Sequence, residues 1–514
     1  MGIDAGSFLE GLSTAFHPMN LLWVLIGGFL GTVVGMLPGL GPATAVAVLI
    51  PVTFGMEPVS ALILMVSIYY GAMYGGSRSS ILLNTPGDGS AIAATFDGYP
   101  MTKKGEAGKA LTISAIASLI GGIVAVIGFI LLAKPLSAFA LKFGPQEYFL
   151  LFLFTLSAIV TLSSGKMVKG FIATSIGLII STVGVDLQTS IYRFTFDLPH
   201  LIEGINFLVV IIGVYAVAEV LYNYLHLDAL KPPKADVGSM KLSKEDIKNT
   251  RGAMLRQSPI GFLIGVLPGA GGSIAAMLSY STEKQISKNG KNFGKGQIEG
   301  VAAPEASNNA ASVGALIPLL TMGVPGSGTT AVILGAVVML GLQPGPLLFA
   351  NEPETIWTLV NSMFIGNIFL VILNIALIGL LLKILRTPPK VLYPLILVLA
   401  FIGTYTLGYS ITDFYILIIF GIIGLVMKLL DFPLAPLILA AIIGSDMEQN
   451  FRKSLIVSNN NVGDIFWGSP ISLVLTLMTI LALVYPLITK GFKRMKVKNN
   501  IKKPFILQGT KSLN

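Results

Sequence analysis

Residues 35–42 read "GMLPGLGP" and residues 265–272 read "GVLPGAGG". Each interrupts a long apolar run with the residues that end helices. Proline lacks a backbone N–H, and glycine permits tight reversals. The likeness runs wider than the two phrases. "GTVVGMLPGLG" (31–41) aligns with "GFLIGVLPGAG" (261–271) at an offset of 230, and "NTPGDGSAIA" (84–93) aligns with "GVPGSGTTAV" (323–332) at an offset of 239. Gly and Pro are common in membrane helices, but two ordered pairs at nearly equal offsets indicate an internal duplication. The extra residues fall in "STEKQISKNGKNFGKGQIEG" (281–300).

Composition sets the surroundings of these breaks. The 514 residues are 54% hydrophobic and 11% charged, with a mean hydropathy of +0.80. A soluble chain carries about a quarter charged residues. Windows 111–133 and 204–225 have the length that a bilayer span requires. Others lie at about 146–163, 168–185, 355–382, 391–406, 409–427, 432–445 and 470–489. No segment shows barrel alternation, so the expectation is an all-α polytopic membrane protein with about 11–12 membrane segments.

The net charge of +9 comes from basic residues in short loops between apolar segments. That pattern reads as positive-inside topology, not as a nucleic-acid surface. A basic linker (228–257) and a basic tail (490–514, beginning "KGFKRMKVKNNIKK") are placed in the cytoplasm. So are "KKGEAGK" (103–109), "KMVK" (166–169) and "KILRTPPK" (383–390), with Lys134 and Lys142 as exceptions. Loop 186–203, "NEPE" (351–354) and the N-terminal stretch 1–19, which lacks Lys and Arg, are placed outside. No secretory leader is expected, because the first basic residue is Arg78. The chain contains no cysteine, which excludes disulfides and thiolate chemistry.

These assignments divide the chain into repeat 1 (20–227) and repeat 2 (258–489). After the first break the chain is inside at Lys103 and crosses outward; after the second it is outside at Glu352 and crosses inward. Two inverted-topology repeats follow, an arrangement recurrent in secondary transporters. Residues about 20–54 and 258–281 are expected to form re-entrant hairpins turning at Pro38 and Gly39, and at Pro268 and Gly269. Non-helical backbone at membrane depth must be covered by protein or line a cavity. Half-helix N-termini suit a carboxylate, and unwound carbonyls suit Na⁺.

Several blocks carry a resemblance. "GMLPGLGPATAVAVLIPVTF", "YYGAMYGGSRSSILLNTPGDGSAIAATFDGYPM", "YRFTFD", "GKGQIEGVAAPEASNNAASVGALIPLLTMGVPGSGTTAVILGAVVMLGLQPGP" and "SDMEQNFRKSLIVS" are the residues concerned. From about residue 20 to 490 the chain resembles the large permease subunit of the tripartite tricarboxylate transporters, the TctA type. The resemblance implies a cation-coupled importer, usually Na⁺-driven, of citrate or other carboxylates in a bacterial inner membrane. It also implies a small four-helix membrane subunit and an extracytoplasmic solute-binding protein. The substrate stays open among citrate, tartrate, dicarboxylates and aromatic acids, and a homo-oligomer is compatible.

Polar residues at the breaks are the candidate ligands. Asn84, Thr85 and Gly87 at the first break, and Gly326 and Ser327 at the second, are assigned to substrate. Ser79, Ser80, Thr329 and Thr330 offer hydroxyl oxygens for Na⁺. The alternative is that such residues glue or cap helices. Asn308 and Asn309, adjacent amides on a membrane helix, need specific partners and are assigned to the ligand site. Arg78 could clamp a carboxylate bidentately or snorkel to a helix carbonyl. Glu305 is expected near the cytoplasmic end, facing water, and Glu219 is a proton-relay alternative.

The spacings Gly31–Gly35, Gly71–Gly75 and Gly261–Gly265 read as packing seams. "GKNFGKG" (290–296) lacks the Walker form, and His17, His200 and His226 have no metal spacing. No HExxH or GxSxG occurs. Neither an enzyme nor a cofactor beyond a coupling cation is expected. The rival readings are an unrelated secondary transporter or exchanger, and a membrane enzyme using Asp88, Asp97 or Glu305 on a lipid-linked substrate.

Overall fold

The computed structural model describes residues 5–37, 39–162, 167–186, 188–225, 237–385 and 389–484. Proline opens many of its helices, where a missing N–H costs nothing. The first half holds α1 (Ala5–Ala15), α2 (Pro18–Gly35), α3 (Pro42–Leu49), α4 (Pro58–Leu83) and α5 (Ile92–Lys103). It continues with α6 (Ala107–Ala140), α7 (Pro145–Leu162) and α8 (Met167–Ser181), then α9 (Phe207–Ile211), a π turn and α10 (Ala218–Leu225). The second half begins with α11 (Lys244–Val266), α12 (Gly271–Ile286), α13 (Glu299–Gly314), α14 (Leu316–Met322) and α15 (Gly328–Met339). After α16 (Pro346–Asn351) come α17 (Pro353–Ala376), α18 (Ile378–Leu385), α19 (Pro389–Gly408), α20 (Ile411–Leu429), α21 (Ala435–Val457) and α22 (Val462–Trp467).

Among the described residues, seven helices are long and apolar enough to cross a membrane: α2, α4, α6, α7, the continuous stretch Phe207–Leu225, α17 and α20. Shorter apolar helices include Met167–Ser181, Gly328–Met339 and Pro470–Val484. The chain is a multi-pass, all-α membrane protein. A two-stranded antiparallel ribbon, β1 (Gly184–Val185) and β2 (Tyr192–Arg193), lies in the α8–α9 connection.

Helix α4 is buried along nearly its whole length, because α2 presses glycines against it. A Cβ on Gly31 would stand 2.2 Å from the Ile68 carbonyl oxygen, and one on Gly35 would stand 2.3 Å from that of Ala72. From the other side, Gly71 and Gly75 meet the carbonyl oxygens of Gly28 and Thr32. The second half repeats the device: Gly261 and Gly265 of α11 lie against the carbonyl oxygens of Ser307 and Ala311 on α13. The glycine spacings are packing seams, as expected.

Helix α11 runs unbroken from Lys244, so the boundary drawn at 257/258 from charge falls inside one helix. A capping box explains the early start: Ser243 Oγ accepts from the Asp246 N–H, and Asp246 accepts from the Ser243 N–H. Residues 228–236 of the expected linker, the tail 490–514 and Pro38 lie outside the described residues.

Candidate functional site

The two breaks repeat one backbone geometry. Asn84 ends α4 in the left-handed region at φ 57°, and Gly323 ends α14 there at φ 71°. Four residues on, Asp88 (φ −149°, ψ −175°) and Ser327 (φ −155°, ψ 170°) are both extended caps. Asp88 Oδ1 accepts from the Ser90 N–H at 3.2 Å, while Ser327 Oγ accepts from the Thr330 N–H at 3.2 Å. The hairpin turns agree as closely, with Gly39 at φ 83° and Gly269 at φ 81°, values that glycine supplies without strain. Each turn also rests on the break of its own half. A Cβ on Gly87 would lie 2.5 Å from Gly35 O, and one on Gly326 would lie 2.9 Å from Gly265 O. The Gly269 N–H donates to Gly326 O at 3.0 Å. Pro268 sits in that turn.

The two halves then meet at these elements. Gly89 faces Ser273, the third residue of α12. A Cβ on Gly272 would touch Ser90 Cβ and Met73 Cε at 3.2 Å each and Asn308 O at 3.7 Å. A Cβ on Gly271 would lie 3.4 Å from Ser327 Cβ, and the Tyr69 hydroxyl lies near the Ser327 side chain. The first break, the second hairpin and the second break thus share one junction. The Asn308 side chain is fully buried, and among the described residues neither of its amide atoms has a hydrogen-bond partner. Thr85 Oγ1 is likewise buried and unpartnered.

The other sequence candidates distribute unevenly. Asn84 is exposed. Ser79 and Ser80 donate their hydroxyls to Gly76 O at 3.1 and 2.9 Å, which leaves their oxygen lone pairs unspent. Thr330 completes the cap at Ser327, and Thr329 is buried beside it. Arg78 and Asn309 belong to a cross-helix network joining α4, α6 and α13. Arg78 Nη1 donates to Ser114 Oγ at 2.9 Å. Glu305 Oε2 accepts from Ser77 at 2.6 Å and from Ser114 and Ser118 at 3.3 Å each. Asn309 Nδ2 donates to Ser118 Oγ at 2.7 Å.

Glu305 therefore does not face water; it is fully buried. The serines that cover it come from helices remote in sequence, a fact that no local pattern carries. The expected relay Glu219 is ion-paired to Lys428 and bonded by Asn223 Nδ2.

A cavity of about 1140 Å³ reaches the second break at Met322 and Gly323. Among the charges that line it, four from around the ribbon and from α21 form ion pairs with one another. Arg193 Nη1 contacts Glu448 Oε1 at 2.8 Å, and Arg452 contacts both Asp186 at 2.9 Å and Glu448 at 2.5 Å. The Gln188 N–H and Arg452 together hold the Asp186 carboxyl down to about 2. These four were not among the sequence candidates, although "YRFTFD" and "SDMEQNFRKSLIVS" contain three of them.

Comparisons with known proteins agree with the resemblance. The model of the Tripartite tricarboxylate transporter TctA family matches residues 21–439. An uncharacterized 52.8 kDa protein of the TAR-I ttuC' 3' region of Agrobacterium vitis is 41% identical over 478 residues, covering 93% of this chain and 95% of that protein. A protein of the TAR-II ttuC' 3' region of the same organism is 43% identical over 212 residues, 41% of this chain and 87% of that one. No solved structure matches. With its family's model spanning most of its length, the chain is a member of the TctA family, a subunit of a tripartite tricarboxylate transporter and not an enzyme.

Proposed function

We propose that this subunit is the permease that carries a tricarboxylate or related carboxylate inward by cation symport, with Na⁺ as the coupling ion. The observation that carries the reading is the junction at Gly89, Gly272 and Ser273, bordered by the Asn308 backbone, together with the fully buried Asn308 side-chain amide, which has no partner among the described residues. An unpaired buried amide costs roughly 1–3 kcal/mol per group, and a bound carboxylate with its hydration replaced would offset that cost. The two α-helical halves run in opposite directions across the bilayer, so that exchange of their conformations opens the junction to each side in turn. Substrate passes through the 1140 Å³ cavity, between the four-charge cluster and the Gly323 break. Ser79, Ser80, Thr329 and Thr330 supply oxygen ligands to Na⁺. A binding protein delivers the carboxylate from outside, and the small four-helix subunit completes the membrane complex. The N-terminus lies outside and the C-terminus in the cytoplasm.

The deciding experiment is uptake into proteoliposomes containing both membrane subunits, supplied with loaded binding protein and a panel of carboxylates. Accumulation under an inward Na⁺ gradient supports the reading; no carboxylate accumulated under any gradient overturns it. Proton coupling is the second reading, favoured by the buried carboxyl of Glu305. Accumulation under a proton gradient alone would select it.

A further inference from the structure

The C-terminal half of α12, the segment that follows it and Phe96 of α5 line a second, open cavity of about 800 Å³. Its walls are of two kinds. Phe96, Met277 and Tyr280 supply apolar surface, and Lys284, Lys288 and Lys291 supply three ammonium groups; among the described residues no carboxylate lines it. The carboxylates nearby are engaged elsewhere. Asp97 accepts the N–H groups of Gly294, Gly296 and Gln297 and the Tyr280 hydroxyl. Glu283 pairs with Arg256 and Gln257, and Glu299 accepts from Ser287 and Asn289. Among the described residues none of the three lysines has an ion-pair partner. Leu278 and Ile286, on the same helix, are exposed apolar side chains.

We propose that this cavity binds a phosphate group. Three ammoniums without a competing carboxylate supply donors to the two free oxygens of a phosphodiester, or to those of inorganic phosphate, and offset its negative charge. The apolar wall and the exposed Leu278 and Ile286 favour a phospholipid headgroup, with acyl chains along α12, over a free phosphate. The site has a mechanical consequence. Residues 271–273, at the other end of α12, form the junction with the first break, so a headgroup at Lys284–Lys291 anchors the far end of that arm.

The test uses the full chain with its small membrane subunit, delipidated and then offered phosphatidylglycerol, phosphatidylcholine or inorganic phosphate. Retained lipid is read by native mass spectrometry. Phosphatidylglycerol is expected to be retained in preference to phosphatidylcholine. Combined Lys284→Gln, Lys288→Gln and Lys291→Gln should weaken its retention about a hundredfold, at about one kcal/mol per lysine. All three residues are exposed, so the variant folds, and unchanged elution on size exclusion verifies this. Inorganic phosphate competing at low concentration, with Leu278→Ser and Ile286→Ser without effect, assigns the same site to a soluble phosphate. Equal retention of the two lipids without phosphate binding, or unchanged retention in the triple variant, overturns the proposal.

Discussion

Gly89 and Ser273 belong to opposite halves of the chain and approach so closely that a Cβ on the glycine would stand 2.6 Å from the serine hydroxyl oxygen. Gly89→Ala should therefore push the first break away from the second hairpin and slow transport strongly. Adding Ser273→Ala removes that oxygen and leaves only a 3.3 Å contact, so the double variant should recover much of the rate. Uptake rates of the two single variants and the double close a cycle. A double variant no better than Gly89→Ala would show that the contact does not limit transport.

Neighbouring amides on α13 should separate function from stability. Asn308→Ala removes a buried amide with no hydrogen-bond partner among the described residues, so thermal stability should not fall. Carboxylate affinity should fall about ten- to a hundredfold. Asn309→Ala breaks the bond to Ser118 and should cost roughly 1 kcal/mol of stability. Binding and melting measurements on both proteins check the pattern, and an inverted outcome would move the ligand site off Asn308.

Arg78 and Glu305 are tied through Ser114, so either charge alone would be left buried. Arg78→Met should destabilise by about 3–5 kcal/mol, and Glu305→Gln in the same background should restore much of it. Arg78→Lys keeps the charge but loses the fork. If the network is structural, that variant melts lower yet keeps its substrate affinity; if Arg78 touches the carboxylate, affinity falls with normal melting.

The carboxyl of Asp186 is held down to about 2, below the ordinary value near 4. A depressed folded value contributes stability that is present above pH ~4 and lost as pH falls toward 2. The Arg452 contact should therefore persist at every pH from 5 to 8, and this cluster should add no pH dependence to uptake there. Asp186→Asn should weaken the hold on Arg452 across that whole range alike. Uptake profiles of the two proteins over pH 5–8 should differ in height and not in shape.

Orientation can be read with single cysteines, because the natural chain has none. Impermeant reagent should label Glu10→Cys in intact cells and Ser239→Cys only after permeabilisation. Both positions are exposed. Labelling of position 239 from outside would sink the inverted arrangement.

Much of this is legible in the sequence. The breaks are written in Pro and Gly, whose backbone effects are local, and the likeness of the two break motifs shows as a spacing. The glycine seams follow from small residues at helical intervals. What stayed hidden depends on contacts between distant segments. Ser77, Ser114 and Ser118 look like ordinary membrane-helix hydroxyls until the fold gathers them on Glu305, some 190 to 230 positions away. The four-charge cluster was invisible for the same reason: Asp186 and Arg193 precede their α21 partners by more than 250 residues. Basic residues suggest a linker where α11 begins, although Ser243 and Asp246 write a helix cap there.

The glycine seams also limit how the molecule can move. Where Gly31 meets Ile68 O and Gly261 meets Ser307 O, backbone rides on backbone with no side chain between. Turning either helix about its axis by a single residue would swing Leu30 or Thr32, or Ile260 or Phe262, toward a carbonyl group. Such a seam admits one facing. Helices α2 and α4 must therefore travel as one plate, and α11 and α13 as another. The relative motion of a transport cycle is left to the contact between the plates, where Gly89 faces Ser273 and Ser77 bonds Glu305.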